Sequence, residues 1–226
     1  MTKTTIERVP TGIPGLDELI EGGFPAKSIT RLTGAPGTGK TIACGQWCAV
    51  LLKLGYKPVF FCFEQSPEEI KKQLEQFGID LSKVEFYSAN DMTYDTMLGK
   101  KPQDLSALLK LLLEKAEKSG SKHVIIDSMS SLLMEDGIKA RLLIRQLING
   151  LKKLGVTALV TSEAVNSEKG DDVATYLVDN DINMGVLRVG KEGTRALTIN
   201  KMRNTNHPLD EFLMEITKKG LIVKEM

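Results

Sequence analysis

Short apolar runs alternate along most of the chain with longer stretches in which apolar residues recur every three or four positions. Residues 27–32 form one such run and read as a strand, and residues 40–54 carry apolar side chains at helical spacing. Residues 58–63, just after Gly55, read as a second buried strand. The next helix, 67–77, is opened by Ser66 as N-cap, with Glu68 and Glu69 in its first turn and Gly78 at its end. Strand 84–88 follows, then a strongly amphipathic helix over 105–118 closed by Ser119-Gly120. Strand 122–127, a helix over 138–154 stopped by Gly155, and strand 156–162 complete the alternation. This order predicts βαβ units: an α/β fold with a mostly parallel central sheet and helices on both faces.

After Asp181 the pattern changes. Residues 185–189, 195–201, 211–217 and 220–223 read as strands separated only by turns, with a hairpin turn at Lys191-Glu192-Gly193. They predict an antiparallel C-terminal extension at one edge of the sheet. No linker, repeat or low-complexity tract interrupts the sequence, and Lys100-Lys101-Pro102 reads as a loop, so residues 1–226 are expected to form a single domain.

Composition changes this picture little. The 226 residues are 42% hydrophobic and 26% charged, which excludes a disordered or collagen-like chain. A formal net charge of +1 gives no global reason to expect nucleic acid or an anionic membrane as partner. The first ten residues lack the apolar core of a secretory signal, and Lys110 interrupts the most apolar stretch, so no membrane span is expected. Three cysteines, Cys44, Cys48 and Cys62, suit a reducing, cytoplasmic setting. Cys44 and Cys48 lie four apart on a helix, but without a second Cys or His pair they read as small buried hydrophobes rather than metal ligands. Trp47 and the scattered methionines, among them Met129, Met134, Met184 and Met202, read as core packing.

Gly34, Ala35, Pro36, Gly37, Thr38, Gly39, Lys40 and Thr41 match the pattern G-x-x-x-x-G-K-[ST] at every position, between a strand and a helix. The glycines let the backbone wrap a polyphosphate with several N–H groups pointing inward, aided by the positive end of the helix that Lys40, Thr41 and Ile42 begin. Lys40 is placed to reach the β- and γ-phosphates and Thr41 to offer its hydroxyl to Mg²⁺. The alternative, a glycine-rich turn without a ligand, does not account for eight matched positions in the right setting. Downstream, His123-Val-Ile-Ile-Asp127 is an apolar strand ending in an acid, the expected position of a carboxylate that supports the metal. By itself Asp127 could be a turn or capping residue.

Hydrolysis further needs a group that orients or deprotonates water. Glu64, at the end of strand 58–63, can serve as that base; a solvated strand-end carboxylate is the equally simple alternative.

Together these segments resemble the RecA-like ATPase superfamily and, within it, the KaiC-type branch. The resemblance spans almost the whole chain: Thr11-Gly-Ile-Pro-Gly-Leu-Asp-Glu-Leu-Ile20-Glu-Gly-Gly23, the phosphate loop, Phe63-Glu64, Ile126-Asp127-Ser128, Lys201-Met-Arg203-Asn-Thr-Asn-His207 and Ile216-Thr-Lys-Lys-Gly-Leu-Ile-Val223. It implies a RecA-like P-loop fold that binds ATP with Mg²⁺ at the interfaces of a ring, usually a hexamer, and hydrolyses it. It also implies that Lys201 and Arg203 project toward the γ-phosphate held by the next subunit, with His207 near the same interface. On the residues alone, 195–203 is equally a solvated basic edge strand.

Two departures from the family pattern matter. Gln65 stands where a second glutamate is common beside Glu64, which points to slow turnover, and Asn204, Asn206 and Pro208 alter the segment around His207. The strand ending Val160-Thr161-Ser162-Glu163 resembles the Thr-Thr-Glu of KaiC-type proteins rather than the glutamine-tipped strand of recombinases. Segments 131–140 and 163–172, which would face the pore, are acidic: Glu135 and Asp136 against Lys139, and Glu163, Glu168, Asp171 and Asp172 against Lys169. Acidic loops argue against a DNA-binding pore. A recombinase paralogue with a basic patch elsewhere, for instance around Lys152 and Lys153, and a non-hydrolysing ATP-gated scaffold that engages a protein partner are the alternatives.

Overall fold

The computed structural model describes residues 6–88, 105–132, 138–163, 173–189 and 192–225. The lead-in contains β1 (Arg8–Val9), α1 (Leu16–Leu19) and β2 (Phe24–Pro25), followed by β3 (Ile29–Gly34), α2 (Lys40–Lys53), β4 (Val59–Cys62), α3 (Pro67–Glu75) and β5 (Glu85–Ser88). Then come α4 (Leu105–Lys118), β6 (His123–Asp127), α5 (Met129–Leu132), α6 (Ile138–Leu154), β7 (Thr157–Ser162) and α7 (Val173–Leu177). Four strands follow: β8 (Asn180–Val189), β9 (Glu192–Met202), β10 (Glu211–Thr217) and β11 (Gly220–Lys224).

Nine strands form one sheet in the order β11-β10-β9-β8-β3-β7-β6-β4-β5, while β1 and β2 pair separately. From β8 to β5 every neighbouring pair is parallel, and from β8 to β11 every pair is antiparallel. Strand β3 lies inside the parallel block between β7 and β8, and all six of its residues are buried.

Alternate residues of each strand feed two cores, as the two-residue period of a pleated strand requires. On one face Leu32, Phe60, Ile125 and Leu159 pack with Trp47 and Leu51 of α2 and Leu74 of α3. On the other, Ile29, Phe61, Ile126 and Val160 pack with Leu112 of α4 and Leu147 and Leu151 of α6. Helix α2 is buried along most of its length, Trp47 and Cys48 completely, which matches its apolar character on all sides. Cys44, Cys48 and Cys62 are free and buried, and burial pushes the thiols of Cys44 and Cys48 well above their ordinary range, so both stay neutral. Among the described residues no cluster of His, Cys, Asp and Glu could hold a metal by itself. No described helix is long and apolar enough to cross a membrane.

Gln46 joins three parts of the chain across this core. Its side-chain amide donates to the carbonyls of Gly12 and Leu221, at 3.1 Å each, and its oxygen accepts from the Leu221 N–H at 2.7 Å.

The alternation read from the sequence corresponds to these elements, but Glu192 and Gly193, read as part of a hairpin turn, already belong to β9 and pair with Val189 and Arg188, and there are three further differences. Strand β3 starts later than the apolar run and continues to the first glycine of the phosphate loop. Strand β8 begins at Asn180, well before predicted strand 185–189, and belongs to the parallel block through β3 as well as to the antiparallel extension. Polar residues hid its first half, yet they find partners inside: Arg31 donates to Asp181 at 2.7 Å, and the Asn180 amide nitrogen donates to the hydroxyls of Ser28 and Thr30, while its side-chain oxygen is buried without a partner among the described residues. Third, the short elements β1, β2, α1, α5 and α7 carry too few residues to show a period. Met129, Met184 and Met202 are buried. Met134, Lys191, the loop Lys100-Lys101-Pro102 and the acidic loop positions Glu135, Asp136, Glu168, Lys169, Asp171 and Asp172 lie outside the described residues.

Candidate nucleotide site

The phosphate loop leaves β3 at a point where only glycine fits. A Cβ on Gly34 would lie 2.3 Å from the Met184 carbonyl oxygen of the neighbouring strand and 2.7 Å from Thr38 Oγ1. Gly37 and Gly39 adopt φ of 79° and 107°, the left-handed region open to glycine. Thr38 is buried and donates its hydroxyl to Ala35 O at 2.9 Å, which closes the loop on itself. The Ala43 N–H to Gly39 O bond, 3.0 Å, starts α2, so the N–H groups of Lys40, Thr41 and Ile42 precede the first helical bond and face the loop end. Lys40 Nζ rests on the carbonyls of Gly34 and Ala35, at 2.7 and 3.1 Å.

Sheet order then brings an acid under the loop. Strand β7 lies between β3 and β6, and its Thr161 donates to Asp127 Oδ1 at 2.5 Å while Thr41 donates to Asp127 Oδ2 at 2.8 Å. Both carboxylate oxygens are thus held by hydroxyls from different elements. Burial, with a smaller contribution from the Glu64 charge, holds the Asp127 carboxyl above its usual range, against the pull of the two hydroxyls and Lys40. A buried carboxylate with a hydroxyl beside it is the oxygen donor set that suits a divalent cation.

Pairing of β4 with β6 sets Cys62 opposite Asp127, and the Phe63 N–H donates to Asp127 O at 2.8 Å. The next residues therefore meet: the Ser128 hydroxyl donates to the Glu64 carboxylate. Glu64 is exposed at the same strand edge as the loop, and Gln65 beside it is exposed too.

The remaining predicted residues lie elsewhere in the same chain. Asn180 pairs with Thr30 and with Met202, whereas Gly34 pairs with Met184, so Lys201 and Arg203 stand at the opposite edge of the sheet from the phosphate loop. Four residues of strand separate the two levels, about 13 Å. Lys201 donates to the carbonyls of Thr175 and Val178 at 3.0 and 2.7 Å, and burial, followed by the charge of Arg203, lowers its pKa. His207 Nδ1 lies 3.0 Å from Pro208 O. Asn204, standing where the family pattern has glycine, adopts φ 58°, a conformation that Asn tolerates better than most residues. Arg8 braces this turn, donating to Asn204 O at 2.8 Å and Thr205 Oγ1 at 2.6 Å while paired with Glu21 at 2.6 Å.

Sequence reading passed over three site residues. Thr161 was visible only as part of a strand end, and it becomes a partner of Asp127 through the register of β7 between β3 and β6. Ser128 needed the β4–β6 pairing to meet Glu64. Arg195 reaches Gly37 O at the crest of the phosphate loop, with Nε and a terminal nitrogen each at 3.3 Å. Its strand pairing with Val186 places it at the loop edge, a long-range fact with no local signal.

Residues 9–226 match the family described as "ATPase: KaiC". The chain is 32% identical to a UPF0273 protein of Aeropyrum pernix, over 96% of this chain and 94% of that protein, and 32% identical to one of Thermotoga maritima, over 96% of each. It is 30% identical to the circadian clock protein KaiC3 of Synechocystis, covering 96% of this chain but only 46% of that longer protein. The crystal structure of a KaiC-like protein from Pyrococcus horikoshii superposes with a TM-score of 0.83 at 28% identity, covering 97% of this chain and 99% of that one. With a RecA-like fold, a phosphate loop backed by a buried acid and a family match over nearly its whole length, this chain belongs to the KaiC family of ATPases.

Proposed function

We propose that this single-domain protein binds Mg·ATP at Gly34–Thr41 and hydrolyses it slowly, in the cytoplasm, at the interfaces of a self-assembled ring. The hydrogen-bonded row Thr41–Asp127–Thr161 under the loop carries this reading, because it is a built oxygen site beside a phosphate cradle. Bound Mg²⁺ would supply charge neutralisation on the phosphates. Thr41 and Asp127 are the residues to hold it, and the N–H groups of the loop and Lys40 hold the phosphates. Lys40 must exchange its two carbonyls for phosphate oxygens, a short reorientation at the same place. Glu64, at the loop edge, is the group to orient or deprotonate water, and Ser128 holds its carboxylate. Lys201 and Arg203 lie too far from their own loop to act there, so their role in turnover, with His207 beside them in sequence, belongs to the neighbouring subunit's site.

A second reading is an ATP-gated scaffold with little turnover. The Ser128 contact, which occupies the Glu64 carboxylate, and the neutral Gln65 beside it favour this reading. One titration separates the two: ATPase rate against protein concentration, with oligomeric mass followed in parallel. Specific activity that rises with assembly, falls on the order of 10³-fold in Arg203→Gln and vanishes with ATP binding in Lys40→Met is the expected result. Assembly on ATP with a flat, negligible rate supports the scaffold. Undiminished ATP binding by Lys40→Met would overturn the assignment of the site.

A further inference from the structure

The edge of the sheet opposite the phosphate loop carries its own ordered charge cluster, centred on Asp179, between α7 and β8. Asp179 Oδ1 accepts from Lys152 Nζ at 2.8 Å and lies 3.4 Å from the Arg203 guanidinium. Its Oδ2 accepts from the Ile29 N–H at 3.1 Å, and its own N–H donates to Ile29 O at 3.0 Å. The Arg203 N–H donates to Asp179 O at 3.2 Å, so backbone and side chain of the two residues are tied together. Three contacts to the carboxylate and two to the backbone fix Asp179 to the start of β3, the end of α6 and the turn after β9.

The two cations of β9 and the turn after it differ sharply in this setting. Lys201 is spent on two carbonyls at the end of α7, while the Arg203 side chain is 54% exposed and uses one nitrogen on Asp179. Lys152 and Arg203 share one carboxylate, which holds two like charges side by side and leaves one net positive charge. Arg203 borders a surface cleft of about 410 Å³ with Ser28 and Asn204 and is the group there for the anionic end of a neighbour's nucleotide, whereas the Lys152 ammonium is taken up by Asp179 and by the Leu177 carbonyl at 3.0 Å.

We infer that Asp179 is the positioning residue for Arg203, orienting its guanidinium into this cleft for the adjoining subunit's phosphates. This inference rests on the trans role of Arg203 proposed above. Asp179→Asn keeps an acceptor for the Ile29 N–H but removes the charge that holds Lys152 and Arg203 together. In the assembled protein the expected result is a fall in kcat of about 10- to 100-fold with nucleotide Kd within about two-fold of the parent, the signature of misplacement rather than lost binding. The double variant Asp179→Asn/Arg203→Gln should be no slower than Arg203→Gln alone, because one acts through the other.

Lys152→Met, which leaves the carboxylate to Arg203, should keep kcat within about two-fold. It also serves as the folding control, since it perturbs the same cluster without touching the β3 backbone bond. Unchanged kcat in Asp179→Asn, losses that multiply in the double variant, or an equal loss in Lys152→Met would overturn the inference while leaving the trans reading intact. Full activity in Arg203→Gln would instead remove the trans reading itself, and the inference with it.

Discussion

His123 is the buried residue whose ionisation most directly opposes the fold. It opens β6, stands edge-on to Trp47 at 5.9 Å and lies against Tyr56 at 4.4 Å, with no charged partner among the described residues. Burial among these rings pushes its pKa down to about 4, against about 6.5 for an ordinary histidine. The folded protein therefore refuses a proton that the unfolded chain accepts. The stability this contributes is complete above about pH 6.5 and is lost as the pH falls toward 4. His123→Phe should flatten the fall in urea midpoint between pH 6.5 and 4; parallel curves for parent and variant would count against the assignment. At the same scale Asp127 shows how a sequence conveys a residue but not its state. An apolar run ending in an acid is legible, whereas the two hydroxyls that hold it come from segments before and after it in the chain.

Among elements, the phosphate loop was legible in full because its constraints are local: a strand, glycines where the backbone needs them, and a helix start. Gly34 shows how tight that requirement is. Gly34→Ala puts a methyl against the Met184 carbonyl, so β3 and β8 must part at the mouth of the site. Loss of most nucleotide binding with a smaller loss of thermal stability is expected, and thermal melts with and without ATP would show it as a vanished ligand-induced shift. Helix α3 was equally legible, and its predicted cap is present as a reciprocal capping box between Ser66 and Glu69. Strand β8 was only half legible. Its polar residues are paid for by partners far away in sequence, Arg31 and the hydroxyls of Ser28 and Thr30, and periodicity has no access to such pairs. Arg195 was hidden for the same reason: it lies in a basic strand whose register alone sends it to the loop crest.

For the whole molecule, the placement of cations on opposite edges of one sheet bears on how copies can meet. A loop at one edge and Arg203 at the other are two different patches, and a head-to-tail interface that joins them closes into a ring or runs on as a filament according to the rotation per step. That geometry is the structural argument for the ring proposed above, and it could not be read from the positions of Lys40 and Arg203 along the chain.

The Gln46 amide has a consequence for how the molecule is made. It ties the helix that follows the phosphate loop to Gly12 on one side and to Leu221, 175 residues away, on the other. Contacts between residues so distant in sequence require closure of a very long loop and belong to the late stages of folding. Helix α2 can therefore gain its final rigidity only after β11 has docked. Gln46→Ala should speed unfolding several-fold and leave the refolding rate nearly unchanged, the pattern of an interaction absent from the transition state. Stopped-flow traces in both directions would test this, and a slowed refolding limb would place the Gln46 lock early instead. Nucleotide affinity during synthesis would then follow the arrival of the C-terminal hairpin rather than of the phosphate loop itself.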